Sequence, residues 1–276
     1  MAQTVFQRFA QITEALLDPA LVRTVVEVGA RDCAETLDFH RRYPNARIIA
    51  FECNAATLPV CRRAVARLRR IKLIEKAVSD RAGDIPFYPI DPDRTVTGDA
   101  EGNPGASSLF RASGDYPLEH YAQRETTVQA VTLAQVMREE GLHGIDLLWM
   151  DIQGAELLAL RGLGDRLGDV RLIHLEVEFF RIYAGQPLFE EVHRFLLGRG
   201  FALLGFTSYS RFAADAVYAQ RSLLHSPLAR WRLAWRHRYL LRNRLKRSKH
   251  RLKGILRGYA GGLARKRAPL REEAGP

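Results

Sequence analysis

Between residues 24 and 220, short β-branched runs alternate with amphipathic stretches, and this rhythm restricts the fold more than any other feature. Thr24–Val28 (TVVEV), Arg47–Phe51 (RIIAF) and residues 71–77 read as strands, and the stretches 34–43 and 55–69 between them read as helices. Parallel neighbours in a sheet need a crossover, so strand, helix and strand joined by a few residues predict parallel βαβ units. A strand at 85–90 leads into a Pro/Gly/Asp-rich stretch at 91–105, which reads as a lid or substrate loop. The rhythm then resumes: Thr126–Val131 extended, 133–140 helical with Thr132 as N-cap and Gly141 as C-cap, and Ile145–Met150 a buried strand. A helix over 155–167, a strand over 170–177, a helix over 188–197 and strands at 201–206 and 216–219 complete it. The expectation is an α/β fold with a doubly wound, mostly parallel sheet of about seven strands. An amphipathic helix at 5–17 lies in an N-terminal unit, 1–22, ahead of the main domain, 23–224.

Charge separates off a third unit. The net charge of the 276 residues is +11, but 16 of the 42 Lys and Arg lie in 225–276 against two acids. That tail carries +14 and the preceding residues −3, so the basic balance says nothing about the chemistry of the main domain. Leu228, Trp231, Trp235 and Tyr239 recur at helical spacing within the tail. A basic helix with aromatic anchors suits the surface of an anionic membrane. A solvated helical extension is the next reading and nucleic-acid phosphate the least favoured. No apolar run approaches the roughly 18–20 residues of a membrane span. Glu14 and Asp18 interrupt the N-terminal segment, which does not read as a signal peptide. The three cysteines, Cys33, Cys53 and Cys61, form no CxxC pair, which points to a reducing, cytoplasmic setting with core or site-lining thiols.

Ligands of open α/β sheets bind beyond the carboxyl ends of the strands, so the residues that follow each strand carry the functional reading. After the first come Glu27, Val28, Gly29, Ala30, Arg31, Asp32 and Cys33. Gly29 permits a sharp turn and Ala30 a close ligand approach, though an ordinary strand-to-helix turn would look the same. Arg31 and Ala34 replace the second and third glycines of the dinucleotide fingerprint, which disfavours a nucleotide-dependent oxidoreductase. The second strand ends at Glu52 and Cys53, about two dozen residues after the glycine turn, where a carboxylate can accept hydrogen bonds from ribose hydroxyls. Ser79 and Asp80 either face an adenine edge or form a plain turn. IDLLWM ends at Asp151, at the ligand edge, while Glu156 has a capping alternative. His174, inside an apolar strand, reads as a core histidine, and no residues at metal-ligand spacing stand out.

The glycine turn, FECN, Gly105-Ala106-Ser107-Ser108-Leu109 and, above all, VTL through IDLLWMDIQGAELLALRG resemble the FkbM-type S-adenosylmethionine-dependent methyltransferases. LEVEFF and YAGQPLF extend the resemblance, which covers about residues 20–220. One departure is visible: Cys33 stands at the family's usual second glycine. The resemblance implies a Rossmann-like methyltransferase sheet and O-methylation of a hydroxyl on a glycan, glycolipid precursor or related small molecule. It also implies S-adenosyl-L-methionine as cofactor, with Gly29, Ala30 and Arg31 beside its methionine part and Glu52 on its ribose. Glu27, Cys53, Ser79 and Asp80 complete the expected cofactor set, with Asp151 near the methyl. Asp151 is the first candidate for the base and Glu178 the second. The alternative is a non-catalytic methyltransferase-like binding protein that its basic tail takes to a membrane or nucleic acid.

Overall fold

A computed structural model describes residues 3–236 and Lys249; the tail beyond Arg236 otherwise lies outside the described residues. Helix α1 (Val5–Leu16) opens on a capping box: the Thr4 hydroxyl accepts from Gln7 N at 3.1 Å and the Gln7 side chain accepts from Thr4 N. Seven strands form the main sheet: β1 (Thr24–Val28), β2 (Arg47–Phe51), β3 (Ile71–Ile74), β7 (Ile145–Met150), β8 (Val170–Glu178), β9 (Phe201–Tyr209) and β10 (Ala213–Gln220). Their order is β3-β2-β1-β7-β8-β10-β9, and every strand is parallel to the others except β10, which runs against β8 and β9. The chain reverses its direction of growth between β1 and β7, and there the ligand crevice of a doubly wound sheet opens.

Both faces of this sheet are covered, which is why its central strands are mostly apolar. On one face Phe6, Phe9 and Ile12 of α1 and Phe39 of α2 (Ala34–Arg42) pack on Val25, Ile48, Leu147 and Leu172. Trp149 and His174 lie in this layer with their rings stacked at 3.7 Å. His174 is buried, shares a 3.0 Å hydrogen bond with the Thr207 hydroxyl, and is pushed down to about 3 by burial. It is a core histidine, as its strand position suggests. On the other face α4 (Leu133–Glu139), α5 (Glu156–Arg161) and α6 (Phe189–Gly198) supply Leu133, Leu157, Leu160, Phe189 and Leu196 against Val26, Ile49, Leu148 and Ile173.

Three expectations are corrected. The run 71–77 divides: β3 stays in the main sheet, while β4 (Ala77–Val78) joins β6 (Thr126–Val131) and β5 (Gly83–Phe87) in a separate three-stranded sheet. Helix α3 is shorter than 55–69 and spans Leu58–Val65, because Asn54 holds the preceding residues in a turn. Its side chain accepts from Ala56 N and its carbonyl from Thr57 N and Leu58 N, all at 3.0 Å. The helix expected over 155–167 stops at Arg161 with Gly162 as its cap, and a 3-10 turn (Gly164–Asp169) then begins at Gly164, left-handed at φ 54°.

Candidate active site

Three strand ends meet at the crevice. β1 runs into Gly29 at φ 89°, and a Cβ there would stand 2.0 Å from the Asp151 carbonyl oxygen. Only glycine lets β1 turn this tightly against the end of β7. Two non-glycine residues in the same turn are also left-handed, Arg31 at φ 50° and Cys33 at φ 63°. Cys33 therefore occupies a backbone conformation that the family's usual glycine adopts without strain. Its buried thiol packs with Ala30, Ala50 and Cys61.

Glu52 closes the floor. One carboxylate oxygen accepts from Arg31 N at 2.7 Å and the other from Cys53 N at 2.8 Å and Asn54 N at 2.7 Å. A nearly buried acid thereby ties the β1 turn to the end of β2. Around it opens a cleft at the carboxyl ends of β1, β2 and β7. Gly29, Arg31, Glu52, Cys53 and Asp151 line it, as do Asn54, Thr57 and the Lys76–Val78 stretch. Phe87, Leu109 and Ile152 make its apolar walls.

The roof belongs to the long irregular stretch. Ser107 Oγ accepts from Asn54 Nδ2 at 3.2 Å and from Ile90 N at 3.0 Å, and Ser108 Oγ donates to Gln153 O at 2.7 Å. Two adjacent serines thus fasten this loop to the ends of β2 and β7. A Cβ on Gly105 would lie 3.2 Å from Arg31 Cδ, so the loop closes directly over the β1 turn.

Asp151 is exposed at the mouth. Its Oδ1 accepts from Gln153 Nε2 at 2.7 Å, and the same nitrogen donates to Glu176 Oε2 at 2.7 Å. Gln153, at φ 54°, and Gly154, at φ 94°, form consecutive left-handed residues that turn this amide toward both acids. Gln153 Oε1 accepts from the Tyr183 hydroxyl at 3.0 Å. Glu156 folds back to accept from Ile152 N at 2.9 Å, so it caps the same turn, and burial pushes its carboxyl up to about 8.

The remaining sequence-chosen residues lie outside the cleft lining. Glu27 is buried below it, accepting from the Thr36 hydroxyl, and burial holds its carboxyl well above the usual range. Ala30 sits in the thiol cluster. Ser79 is buried beside exposed Asp80, with 3.3 Å between Ser79 Oγ and Asp80 Oδ1. Glu178 is buried at the end of β8 and is raised by burial, with Glu156 and Asp151 nearby. Val78, Phe87 and Leu109 carry no signal in the sequence because they are of the same residue types as core, and the meeting of Gln153 with Glu176 depends on the pairing of β7 with β8.

The family model for the methyltransferase FkbM domain matches residues 27–203. The chain belongs to the FkbM methyltransferase family. It is 30% identical over 200 residues to the 2-O-methyltransferase NoeI of Sinorhizobium fredii (strain NBRC 101917 / NGR234), covering 68% of this chain and 80% of that one. It is 29% identical over 160 residues to the methyltransferase sdnD of Sordaria araneosa, covering 51% of this chain and 60% of that one. Among solved structures, the precorrin-6y C5,15-methyltransferase of Geobacter metallireducens GS-15 aligns over 77% of this chain and 87% of its own, at 14% identity and a TM-score of 0.41.

The FkbM methyltransferase is an S-adenosylmethionine-dependent enzyme, and its cleft suits that cofactor. The glycine cradle admits backbone-close contact, a carboxylate lies at the end of β2, and apolar walls flank the cleft. Among the described residues no three His, Cys, Asp or Glu are gathered closely enough to hold a metal ion.

Proposed function

We propose that this FkbM methyltransferase methylates a hydroxyl oxygen of a glycan, glycolipid precursor or related sugar-bearing small molecule, with Asp151 as proton acceptor. The observation that carries the reading is the state of Asp151. It lies beside the Gly29 turn with one oxygen tied to Gln153, and among the described residues it forms no ion pair that would occupy the other. Similarity to a 2-O-methyltransferase supports oxygen as the acceptor atom.

The bound cofactor supplies an activated methyl group on a sulfonium, so alignment and removal of one proton are what the protein must add. Gly29 and Arg31 would hold its methionine part, Glu52 its ribose, and Val78, Phe87 and Leu109 its adenine. Asp151, fixed in orientation by Gln153, takes the proton from the acceptor hydroxyl. The roof tied down by Ser107 and Ser108 excludes water from the cleft.

Titration calorimetry with S-adenosylhomocysteine and methyl-transfer assays on Asp151→Asn test this. Asp151→Asn is expected to retain product binding and to lose about 10²–10⁴-fold in kcat. Absence of binding to the folded protein, or an unchanged kcat, would overturn it. In the same reading the protein is cytoplasmic and its +14 segment rests on anionic lipid, which the segment's charge supports.

A further inference from the structure

The register of the main sheet gathers acids that the proposed reaction does not yet use. Met150 pairs with Leu175 and Asp215 with Glu176, so Asp151, Glu176 and Asp215 form one transverse row on β7, β8 and β10. Neighbouring strands lie about 4.8 Å apart. None of the three has a Lys or Arg partner among the described residues. Asp215 is occupied by the Ser208 hydroxyl. Asp151 and Glu176 instead share the two hydrogens of one amide nitrogen, Gln153 Nε2, each at 2.7 Å. That leaves Asp151 Oδ2 and Glu176 Oε1 as two carboxyl oxygens side by side, with Asp151 exposed and Glu176 half-buried; burial, with Asp151, Glu178 and Asp215 nearby, holds the Glu176 carboxyl well above its usual range.

An aromatic arc begins at the same amide. The Tyr183 hydroxyl reaches Gln153, Tyr121 stacks on Tyr183 at 6.0 Å, Tyr116 follows at 6.0 Å, and Phe212 meets Tyr116 edge-on at 5.5 Å. Tyr116 and Tyr121 are half-buried, and both lie near Glu176. Paired carboxyl groups beside aromatic faces match a molecule with adjacent hydroxyls on one edge and apolar C–H groups on its face. That molecule is a pyranose.

We infer that Glu176 determines acceptor specificity: its free carboxyl oxygen shares a hydrogen bond with the hydroxyl adjacent to the one presented to Asp151, so that a vicinal diol of a pyranose is required. Gln153 is the positioning residue that spaces the two carboxylates. The inference rests on the proposed O-methyl transfer and adds to it the shape of the acceptor. A simple alcohol could satisfy Asp151 alone, but would leave Glu176 facing the acceptor without a hydrogen-bond partner.

The test is methyl transfer from radiolabelled S-adenosylmethionine to a panel of methyl pyranosides, each paired with its 2-deoxy and 3-deoxy counterparts. Parent protein and Glu176→Gln are compared, and S-adenosylhomocysteine binding to both is measured by calorimetry. The glutamine keeps an oxygen for Gln153 Nε2 but replaces the second carboxyl oxygen with an amide nitrogen. The parent is expected to prefer the diol over the singly deoxygenated sugar by about 2–10-fold in kcat/KM, the range for a hydrogen bond between uncharged groups. Glu176→Gln should lose that preference, match the parent on the deoxy sugar, and bind S-adenosylhomocysteine as the parent does. Equal loss on diol and deoxy acceptors would mean a merely structural role and overturn the inference. So would methylation of no pyranoside by protein that binds S-adenosylhomocysteine. Failure of that binding in the parent would instead overturn the methyl-transfer reading itself, and this inference with it.

Discussion

Replacing Gly29 with alanine isolates the contact on which the crevice depends. The residue sits at φ 89°, and the added Cβ would meet the Asp151 carbonyl oxygen at 2.0 Å and Ile152 Cγ2 at 3.0 Å. Left-handed backbone costs an L-residue about 1–2 kcal/mol, and an overfilled contact with no flexible partner adds about 1–3 kcal/mol. The obstructing atom is backbone, so relief requires β1 and β7 to separate where Asp151 N donates to Val28 O at 3.1 Å. Gly141→Ala is the control, because Gly141 is left-handed at φ 62° with nothing within 4 Å of its Cβ position. Urea unfolding followed by circular dichroism should show a loss of about 2–5 kcal/mol for Gly29→Ala. The loss for Gly141→Ala should be about 1 kcal/mol. Calorimetry should find S-adenosylhomocysteine binding weakened in the first variant alone. Equal losses in the two variants, with binding intact in both, would refute the argument that backbone crowding at this turn shapes the cofactor cleft.

Burial raises Glu156 from 4.5 to about 8, so its contribution to stability is complete below pH 4.5 and is lost as the pH rises through 8. Glu156→Gln should flatten the decline in denaturation free energy between about pH 5 and 9 by up to about 5 kcal/mol; parallel curves would contradict this. His174 acts in the opposite sense: lowered from 6.5 to about 3, it costs stability as the pH falls below 6.5, and His174→Phe should reduce that acid sensitivity in thermal melts. Phe9, fully buried against Trp149 and His174, should cost about 3–5 kcal/mol when cut to alanine, and a loss under 1 kcal/mol would show that α1 is not part of the core. Removal of residues 225–276 should abolish sedimentation with anionic liposomes at low salt while S-adenosylhomocysteine binding persists; retained sedimentation would assign lipid contact elsewhere.

β1, β2 and β7 were legible to the residue because burial on both faces makes each mostly apolar, and their ends are marked by Gly29, Glu52 and Asp151. The division of 71–77 was not, because Ile71–Ile74 and Ala77–Val78 are equally apolar, and the switch is decided by pairing of Val78 with distant Val131. Asn54 shortened α3 through a turn whose partners follow it closely, a local signal that apolar periodicity overrode. Within the site, Asp151 followed from its place at a strand end. Glu176 and Glu178 share one face of β8, and alternation alone does not say which reaches a neighbour. Register decides it: Met150 lies opposite Leu175, which sets Glu176 beside Asp151, and no single sequence carries register between strands so far apart.

The reversed direction of β10 has a consequence for how the enzyme would meet a surface. Because β10 runs from Asp215, next to Glu176, down to Gln220, next to the start of β8, the chain departs from the back of the sheet. Over those residues it moves roughly 20 Å from the carboxylate row. α7 (Pro227–Arg236) then packs on α1, the helix behind Trp149 and His174. A surface gripped where the basic segment begins would therefore meet the face of the sheet that α1 covers.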